Sequence, residues 1–233
     1  GRRLRRTHGP SIPKAELTVT GARLAMIPMT TDLLRLTQWL SPAFPVSGYA
    51  YSHGLETAMA GGHVTDAASL TAWVRAVLTH GTGPLDVWAI RRSMAGDDPA
   101  HLTAILRARA GSPERWQEAR DQGAAFCDVT TVMGDMPLDY LPLPVALGVR
   151  ARGMDAGVVA LLFLQGFAGQ MVSAAARFLP LGQSTAQTVL RGLHADVAVT
   201  AARDEIDPPG SAAVLAELDA MAHESLQPRI FRT

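Results

Sequence analysis

Three side chains in residues 52–56 are of the types that a hydrolase uses. Ser52 could serve as a nucleophile, His53 as its base and Glu56 as the acid that orients the base. However, Ser52 does not lie in a Gly-x-Ser-x-Gly turn, and adjacent side chains point apart. A second interpretation makes Ser52 a helix N-cap, Glu56 a first-turn acid and His53 a structural or interface histidine. An α-helical hydrolase using these residues is therefore the alternative to a non-catalytic function.

The spacing of the other polar residues gives little support for a metal site or a nucleotide site. The seven histidines stand far apart, and neither His-x-His, His-Glu-x-x-His nor Cys-x-x-Cys occurs. His53 and Glu56 share a helical face, but two ligands are too few for a strong metal site. A P-loop needs a lysine at the phosphates, and Lys14 is the only lysine. We expect no catalytic residue, no metal site and no cofactor held by this chain.

Composition narrows the classes of partner. The 233 residues include 21 basic and 21 acidic side chains, so the net charge of zero gives no general attraction to nucleic acid or to membranes. Cys127 is the only cysteine, which excludes an internal disulfide and fits a reducing cytoplasm. The longest apolar run, 158–164, is shorter than the roughly 20 residues that a membrane helix needs. We expect a cytoplasmic protein that binds neither nucleic acid nor membrane.

Apolar residues recur at three- and four-residue spacing along most of the chain, and no stretch alternates as a strand does. The pattern predicts an all-α fold: a single helical domain of about nine or ten helices with flexible N- and C-terminal segments. Residues 1–28 are predicted to be a disordered extension, 29–203 the helical domain, and 204–233 a linker and partner-binding tail. Four arginines in residues 1–6 leave a nucleic-acid-binding arm as a further hypothesis.

One predicted helix, which begins after Asp155, is apolar on nearly all sides and should lie at the centre of the fold. It contains Gly157, Gly166 and Gly169, although glycine costs about 1 kcal/mol relative to alanine inside a helix. Glycines that are present despite this cost indicate close helix packing, either within the core or across a dimer interface.

Residues 36–56 form an aromatic-rich connection between two helical segments. Pro42 and Pro45 push the preceding residues toward extended geometry, and Gly48 is free to take a positive φ. The aromatic residues around this stiff turn allow two interpretations: a surface that holds a fixed shape for a partner, or a helix connection whose rings fill the core.

The same stretch, LTQWLSPAFPVSGYAYSHGLE, resembles the UreF family of urease accessory proteins in its long order of Gln-Trp-Leu-Ser-Pro-x-Phe-Pro and Tyr-Ser-His-Gly-Leu-Glu. Ser47 departs from the family's usual glycine. Two further stretches support the resemblance: GFAGQMVSAAARFLPLGQSTAQ, and the closing MAHESLQPRIFRT, where Ile230 and Thr233 replace Leu and Ser. The resemblance covers nearly the whole chain from Met29.

Membership of that family would imply an all-helical homodimer in the complex that assembles the nickel centre of urease. The implied partners are UreD/UreH, the GTPase UreG and, through the complex, the urease apoprotein, with Ni²⁺ and GTP handled on the partner proteins. The implied function is a non-catalytic adaptor or chaperone that bridges UreD/UreH and UreG and regulates GTP hydrolysis.

The implied partner-binding residues fall in two groups. The loop group faces the GTPase and contains Tyr49, Tyr51, Ser52, His53 and Glu56. The tail group orders against UreD/UreH and contains His223, Glu224, Arg229, Ile230, Phe231 and Arg232. We expect the tail to be mobile in the free protein and Phe231 to anchor it on the partner.

Overall fold

The computed structural model describes residues 21–233, with side chains described from residue 30 onward. Within this part of the chain the structure is all-α and contains no strand, which confirms the predicted fold class. One 3₁₀ helix (Gly48–Ala50) lies in the aromatic-rich connection. The α-helices are α1 (Gly21–Trp39), α2 (Leu55–Ala60), α3 (Ala67–His80), α4 (Thr82–Ala95), α5 (Pro99–Arg109), α6 (Pro113–Val132), α7 (Leu143–Arg150), α8 (Ala156–Ala175), α9 (Gly182–Gly192), α10 (His194–Ala201) and α11 (Val214–His223).

The first helix begins earlier than the sequence predicts. Helix α1 starts at Gly21 and passes through Met29 without a break, so residues 21–28 belong to a helix rather than to a disordered extension. The remainder of the predicted extension, including the arginine-rich residues 1–6, lies outside the described residues.

Side-chain caps fix several of the helix starts. Each cap accepts a backbone N–H in the first turn, which satisfies a donor that has no partner inside the helix. The capping residues are Asp66, Asp98, Ser112 and Asp155. Helix α9, which begins at Gly182, has no side-chain cap.

Helix α8 lies at the centre of the fold and packs against α2, α3, α4, α9 and α10. Its residues Val159, Ala160 and Leu164 are fully buried. A Cβ on Gly166 would lie 3.3 Å from the Leu40 carbonyl oxygen, so this glycine permits close packing within the chain. The helix is long and apolar enough to cross a membrane, but half of its most apolar window is buried in the fold, as in a core helix.

The residues after α10 are packed against the domain. Trp88 Nε1 donates to the Ile206 carbonyl oxygen at 3.1 Å, and Ala212 N donates to the His80 carbonyl oxygen at 2.7 Å. Helix α11 then packs against α2. The segment 204–233, predicted to be a separate linker and tail, is therefore part of the same packed structure.

Candidate functional site

The aromatic-rich connection turns at Ser47, not at Gly48. Ser47 takes the left-handed conformation (φ 58°), whereas Gly48 has no positive φ. Gly48 serves a close contact instead, because a Cβ there would lie 2.8 Å from Gln170 Oε1 on α8. The predicted reason for Gly48 was therefore wrong.

A second reversal precedes α2 and brings the loop against α11. His53 (φ 62°) and Gly54 (φ 82°) are both left-handed, a conformation that is uncommon for a residue with a side chain. A Cβ on Gly54 would lie 2.7 Å from Ala220 N, so only glycine fits between the loop and α11. This contact places Glu56, in the first turn of α2, beside the tail.

Glu56 binds the tail through three hydrogen bonds. Its carboxylate accepts the backbone N–H of Ile230 at 2.8 Å and of Phe231 at 3.0 Å. His223 Nε2 lies 3.1 Å from Glu56 Oε2. A buried carboxylate with three donors is well compensated for its lost hydration.

His223 joins this carboxylate to α6. Its Nδ1 lies 2.7 Å from Glu114 Oε2, so both ring nitrogens face carboxylate oxygens. The ring therefore bridges the two carboxyl groups, one on α2 and one on α6. Arg229 also donates to Glu114, so a guanidinium lies beside the pair of acids.

The end of the tail is held by Ser52. Ser52 N donates to the main-chain oxygen of Thr233 at 2.7 Å, and Ser52 Oγ donates to the same oxygen. Thr233 Oγ1 donates to Glu118 Oε2 at 2.9 Å, and Arg232 N donates to the Ala50 carbonyl oxygen at 2.8 Å. Loop and tail are thus joined by main-chain and side-chain hydrogen bonds.

Phe231 is buried within the chain, with 4% of its surface exposed. Its ring centroid lies 5.3 Å from that of Phe178, and the Arg177 guanidinium lies 5.2 Å from it. This differs from the expectation of a mobile tail whose Phe231 is free to insert into a partner, because the domain itself supplies the pocket. Ile230 is 70% exposed, and Glu224, Arg229 and Arg232 are also exposed.

The predicted loop residues are divided between core and surface. Tyr49 is 69% exposed, whereas Tyr51, Ser52, His53 and Glu56 are buried. Burial raises the pKa of the Tyr51 hydroxyl, which lies 3.4 Å from Asp121 Oδ2. Most of the loop therefore fits the core interpretation, and Tyr49 presents the exposed ring.

Ser52, His53 and Glu56 do not form a catalytic relay in this structure. Ser52 Oγ donates to the tail and accepts the Glu56 backbone N–H at 3.2 Å. His53 points elsewhere, with Nε2 3.0 Å from Thr82 Oγ1 and its ring packed against Phe167. The geometry therefore gives no support to the hydrolase alternative.

His53 belongs to a second buried polar cluster, with Asp86, Arg115 and Glu118. Burial lowers the pKa of His53 well below its usual value, and the nearby Arg115 guanidinium lowers it further. Burial raises the pKa of Glu118, and it raises the pKa of Asp86 to about 7. The cluster lines a cavity of about 240 Å³ that also reaches Tyr49 and Gln170.

Sequence reasoning missed an exposed apolar stripe on α11. Four residues at helical spacing are between 49% and 66% exposed: Val214, Leu215, Leu218 and Met221. The opposite face of α11 is buried, and its Asp219 accepts hydrogen bonds from Trp73 Nε1 at 3.0 Å and faces His63 Nδ1 at 2.8 Å. The spacing of apolar residues at i, i+1, i+4 and i+7 was visible in the sequence and could have indicated this stripe.

Comparison with known proteins gives a consistent assignment. The UreF family model matches residues 64–194. The chain is 49% identical over 210 residues to the urease accessory protein UreF of Dinoroseobacter shibae, covering 88% of this chain and all of that protein. It is 49% identical over 210 residues to that of Jannaschia sp., covering 88% and 96% of the two chains. The corresponding protein of Rhizobium etli is 40% identical over 214 residues, covering 86% and 96%. The chain therefore belongs to the UreF family of urease accessory proteins.

Proposed function

We propose that this chain is a non-catalytic helical adaptor for nickel insertion into apo-urease. In this proposal it bridges a UreD/UreH partner and the GTPase UreG and regulates GTP hydrolysis on UreG. The observation that carries the proposal is the joining of the aromatic loop and the tail into one fixed surface, with exposed side chains from both segments beside each other. Family membership supplies the urease context.

The UreD/UreH side is proposed to be the exposed edge of the tail together with the stripe on α11. Ile230 is exposed although its backbone N–H is fixed by Glu56, so the backbone that carries the side chain needs little further ordering at binding. Leu215 and Leu218 extend the same apolar character along α11. Exposed apolar groups with arginine beside them are typical of the centre of a protein interface.

The UreG side is proposed to be the exposed edge of the loop at Tyr49. The Tyr49 carbonyl oxygen accepts a hydrogen bond from Arg177 at 3.2 Å, and the same guanidinium lies over Phe231. Arg177 thus connects the two edges. Because both edges share this support, a partner on the tail can alter how the loop is presented to the GTPase.

In this proposal Ni²⁺ and GTP are handled on the partner proteins, and the chain holds no cofactor of its own. Among the residues that the structure describes, no group of three or more His, Cys, Asp or Glu side chains is arranged to hold a metal ion. A cytoplasmic location is proposed with it, because the buried Cys127 is a free thiol.

A homodimer is also proposed. Leu33 and Leu34 on α1 are 46% and 65% exposed, and Val158 and Leu161 on α8 are 37% and 38% exposed. Helices α1 and α8 pack against each other, so these apolar groups support an interface between copies. Light scattering should give a dimer mass for the purified protein, and a monomer at high concentration would contradict this part.

The experiment is co-purification with UreD/UreH and with UreG, tested separately. A chain lacking the last eleven residues should lose UreD/UreH, with circular dichroism checking that the helical domain remains folded. Tyr49→Ala should weaken UreG capture, and Tyr140→Ala is the matched control because Tyr140 is 68% exposed on another part of the surface. Full capture of both partners by the truncated chain and by Tyr49→Ala would reject the proposed surface.

A further inference from the structure

Asp86 is a buried carboxyl group without a hydrogen-bond donor among the residues that the structure describes. It lies in α4, its residue is 9% exposed, and only the charges of Arg115 and Glu118 act on it beside burial. A buried carboxyl group of this kind is costly to ionise unless a cation or a donor approaches it.

His53 is also short of one partner. Its Nε2 lies against Thr82, while its buried Nδ1 has no hydrogen-bond partner and lies 3.9 Å from Glu118 Oε2. When Nε2–H donates to Thr82, Nδ1 carries a lone pair and faces the cluster as an acceptor. His53 therefore has a buried acceptor without a partner, and the same cavity is lined by the Asp86 carboxyl group, to which no described residue donates.

The charges around Asp86 do not balance when both carboxyl groups are ionised. Arg115 is the only cation in the cluster, and it is paired with Glu118. Glu118 also accepts hydrogen bonds from Thr233 Oγ1 at 2.9 Å and from Gln122 Nε2 at 3.3 Å. Within this cluster an ionised Asp86 thus leaves a net charge of −1 that the neutral His53 does not compensate. Arg109, Arg177 and Glu217 also line the cavity but are not among the groups whose charges act on Asp86.

The cavity at this cluster is large enough for a guest. Its volume of about 240 Å³ holds several water-sized molecules, and its walls include the rings of Phe163, Phe167 and Trp116. Aromatic faces attract organic cations, and buried acceptors favour a guest that donates hydrogen bonds.

We propose that the cavity binds a small cation that donates N–H hydrogen bonds, an ammonium or primary alkylammonium ion, with the Asp86 carboxylate as its counter-ion. The aromatic wall favours this guest over a divalent metal ion, and in the described part of the chain no three His, Cys, Asp or Glu side chains are arranged to hold a metal ion. The inference does not depend on the proposed adaptor function.

Binding of the guest should be linked to protons and to the tail. The titratable and charged groups that act on Asp86 are Arg115 and Glu118 of α6, and His53 of the loop completes the cluster. Burial raises the pKa of Asp86 to about 7, so the guest must displace a proton at pH 6 but not at pH 8. Glu118 connects the cluster to Thr233, which provides a path by which an occupied cavity can steady the end of the tail.

The test is isothermal titration calorimetry on the full chain at constant ionic strength. Methylammonium chloride should bind saturably, and tetramethylammonium and sodium chloride should not, since neither cation donates an N–H. Binding should be about tenfold weaker at pH 6 than at pH 8, because the ionised fraction of a group with a pKa of about 7 falls about tenfold.

Two variants complete the test. Asp86→Asn should abolish binding while circular dichroism shows an unchanged fold, and Asp196→Asn, a change at a surface ion pair with Arg75, should bind as the wild type does. The proposal is overturned if the wild type shows no saturable binding, if sodium or tetramethylammonium matches methylammonium, or if Asp86→Asn binds equally well.

Discussion

Glu56 and Asp86 are two equally buried carboxyl groups, each 9% exposed, in contrasting surroundings. Glu56 receives two backbone N–H groups and faces His223, whereas Asp86 receives no hydrogen bond from the described residues. The first holds one piece of the chain against another. The second lines a cavity and remains available to a guest or to a proton.

The contrast shows how burial alone fails to define the role of an acid. A carboxylate whose donors come from a tail fixes the position of that tail, so its removal should disturb structure. A carboxyl group that lacks donors should be dispensable for the fold and should matter for binding and pH response. Four substitutions test this difference.

The largest effect is expected for Glu56→Ala. The change leaves His223, Ile230 N and Phe231 N without their buried acceptor, so the free energy of unfolding should fall by roughly 3 to 5 kcal/mol. Chemical denaturation measures the loss, and hydrogen exchange should show faster exchange at the Ile230 and Phe231 amides. Glu224→Ala is the control, since Glu224 is exposed on the same tail, and an equal loss in both variants would contradict the role of Glu56.

Phe231→Ala should have the next largest effect. The free energy of unfolding should fall by about 3 kcal/mol, because the substitution removes the contacts of the ring with Phe178 and Arg177. Its neighbour Ile230 provides the comparison, because Ile230→Ala should change stability by less than about 0.5 kcal/mol at an exposed position. If Phe231→Ala unfolds like the wild type in a denaturant titration, the tail is not packed in solution.

His53→Ala should lower the free energy of unfolding by about 2 kcal/mol, because it removes the hydrogen bond with Thr82 and the ring contact with Phe167. Thermal unfolding measures the change, with the exposed His101→Ala as the control. Reduced urease activation at an unchanged melting temperature would instead favour a direct interface role for His53.

Asp86→Asn is the one substitution of the four that is expected to raise stability, and its effect should depend most clearly on pH. The folded-state pKa of Asp86 is raised from 3.8 to about 7, so protonation favours the folded state and this contribution is lost as pH rises from about 4 through 7. The variant should therefore gain stability relative to the wild type between pH 5 and pH 8. Denaturant titrations at both pH values measure the gain, and a constant difference would place Asp86 in contact with solvent.

Much of the fold could be predicted from local signals. Asp66 and Ser112 begin helices because each is a short polar residue that precedes apolar residues at helical spacing. This signal is contained within a few residues of the sequence. The apolar character of α8 likewise predicted its central position. Such features depend little on the rest of the chain.

The tail contact could not be predicted in the same way. Glu56 and Phe231 are 175 residues apart, and nothing in either local sequence specifies the pairing. The resemblance to the UreF family implied that residues of both segments bind partners. It did not indicate that the two segments contact each other. The Asp86 cluster was missed for the same reason, since its members lie on the loop, α4 and α6 and meet only in the folded chain.

The central claim, that the fixed tail presents a docking edge for UreD/UreH, is tested most directly by one pair of variants. Ile230→Asp and Ile206→Asp change two highly exposed isoleucines, 70% and 82% exposed, one near the end of the tail and one in the segment between α10 and α11. Calorimetric titration of UreD/UreH should show Ile230→Asp weakened by roughly 30-fold, about 2 kcal/mol, with Ile206→Asp unchanged. Equal affinity of both variants for the partner would contradict the account.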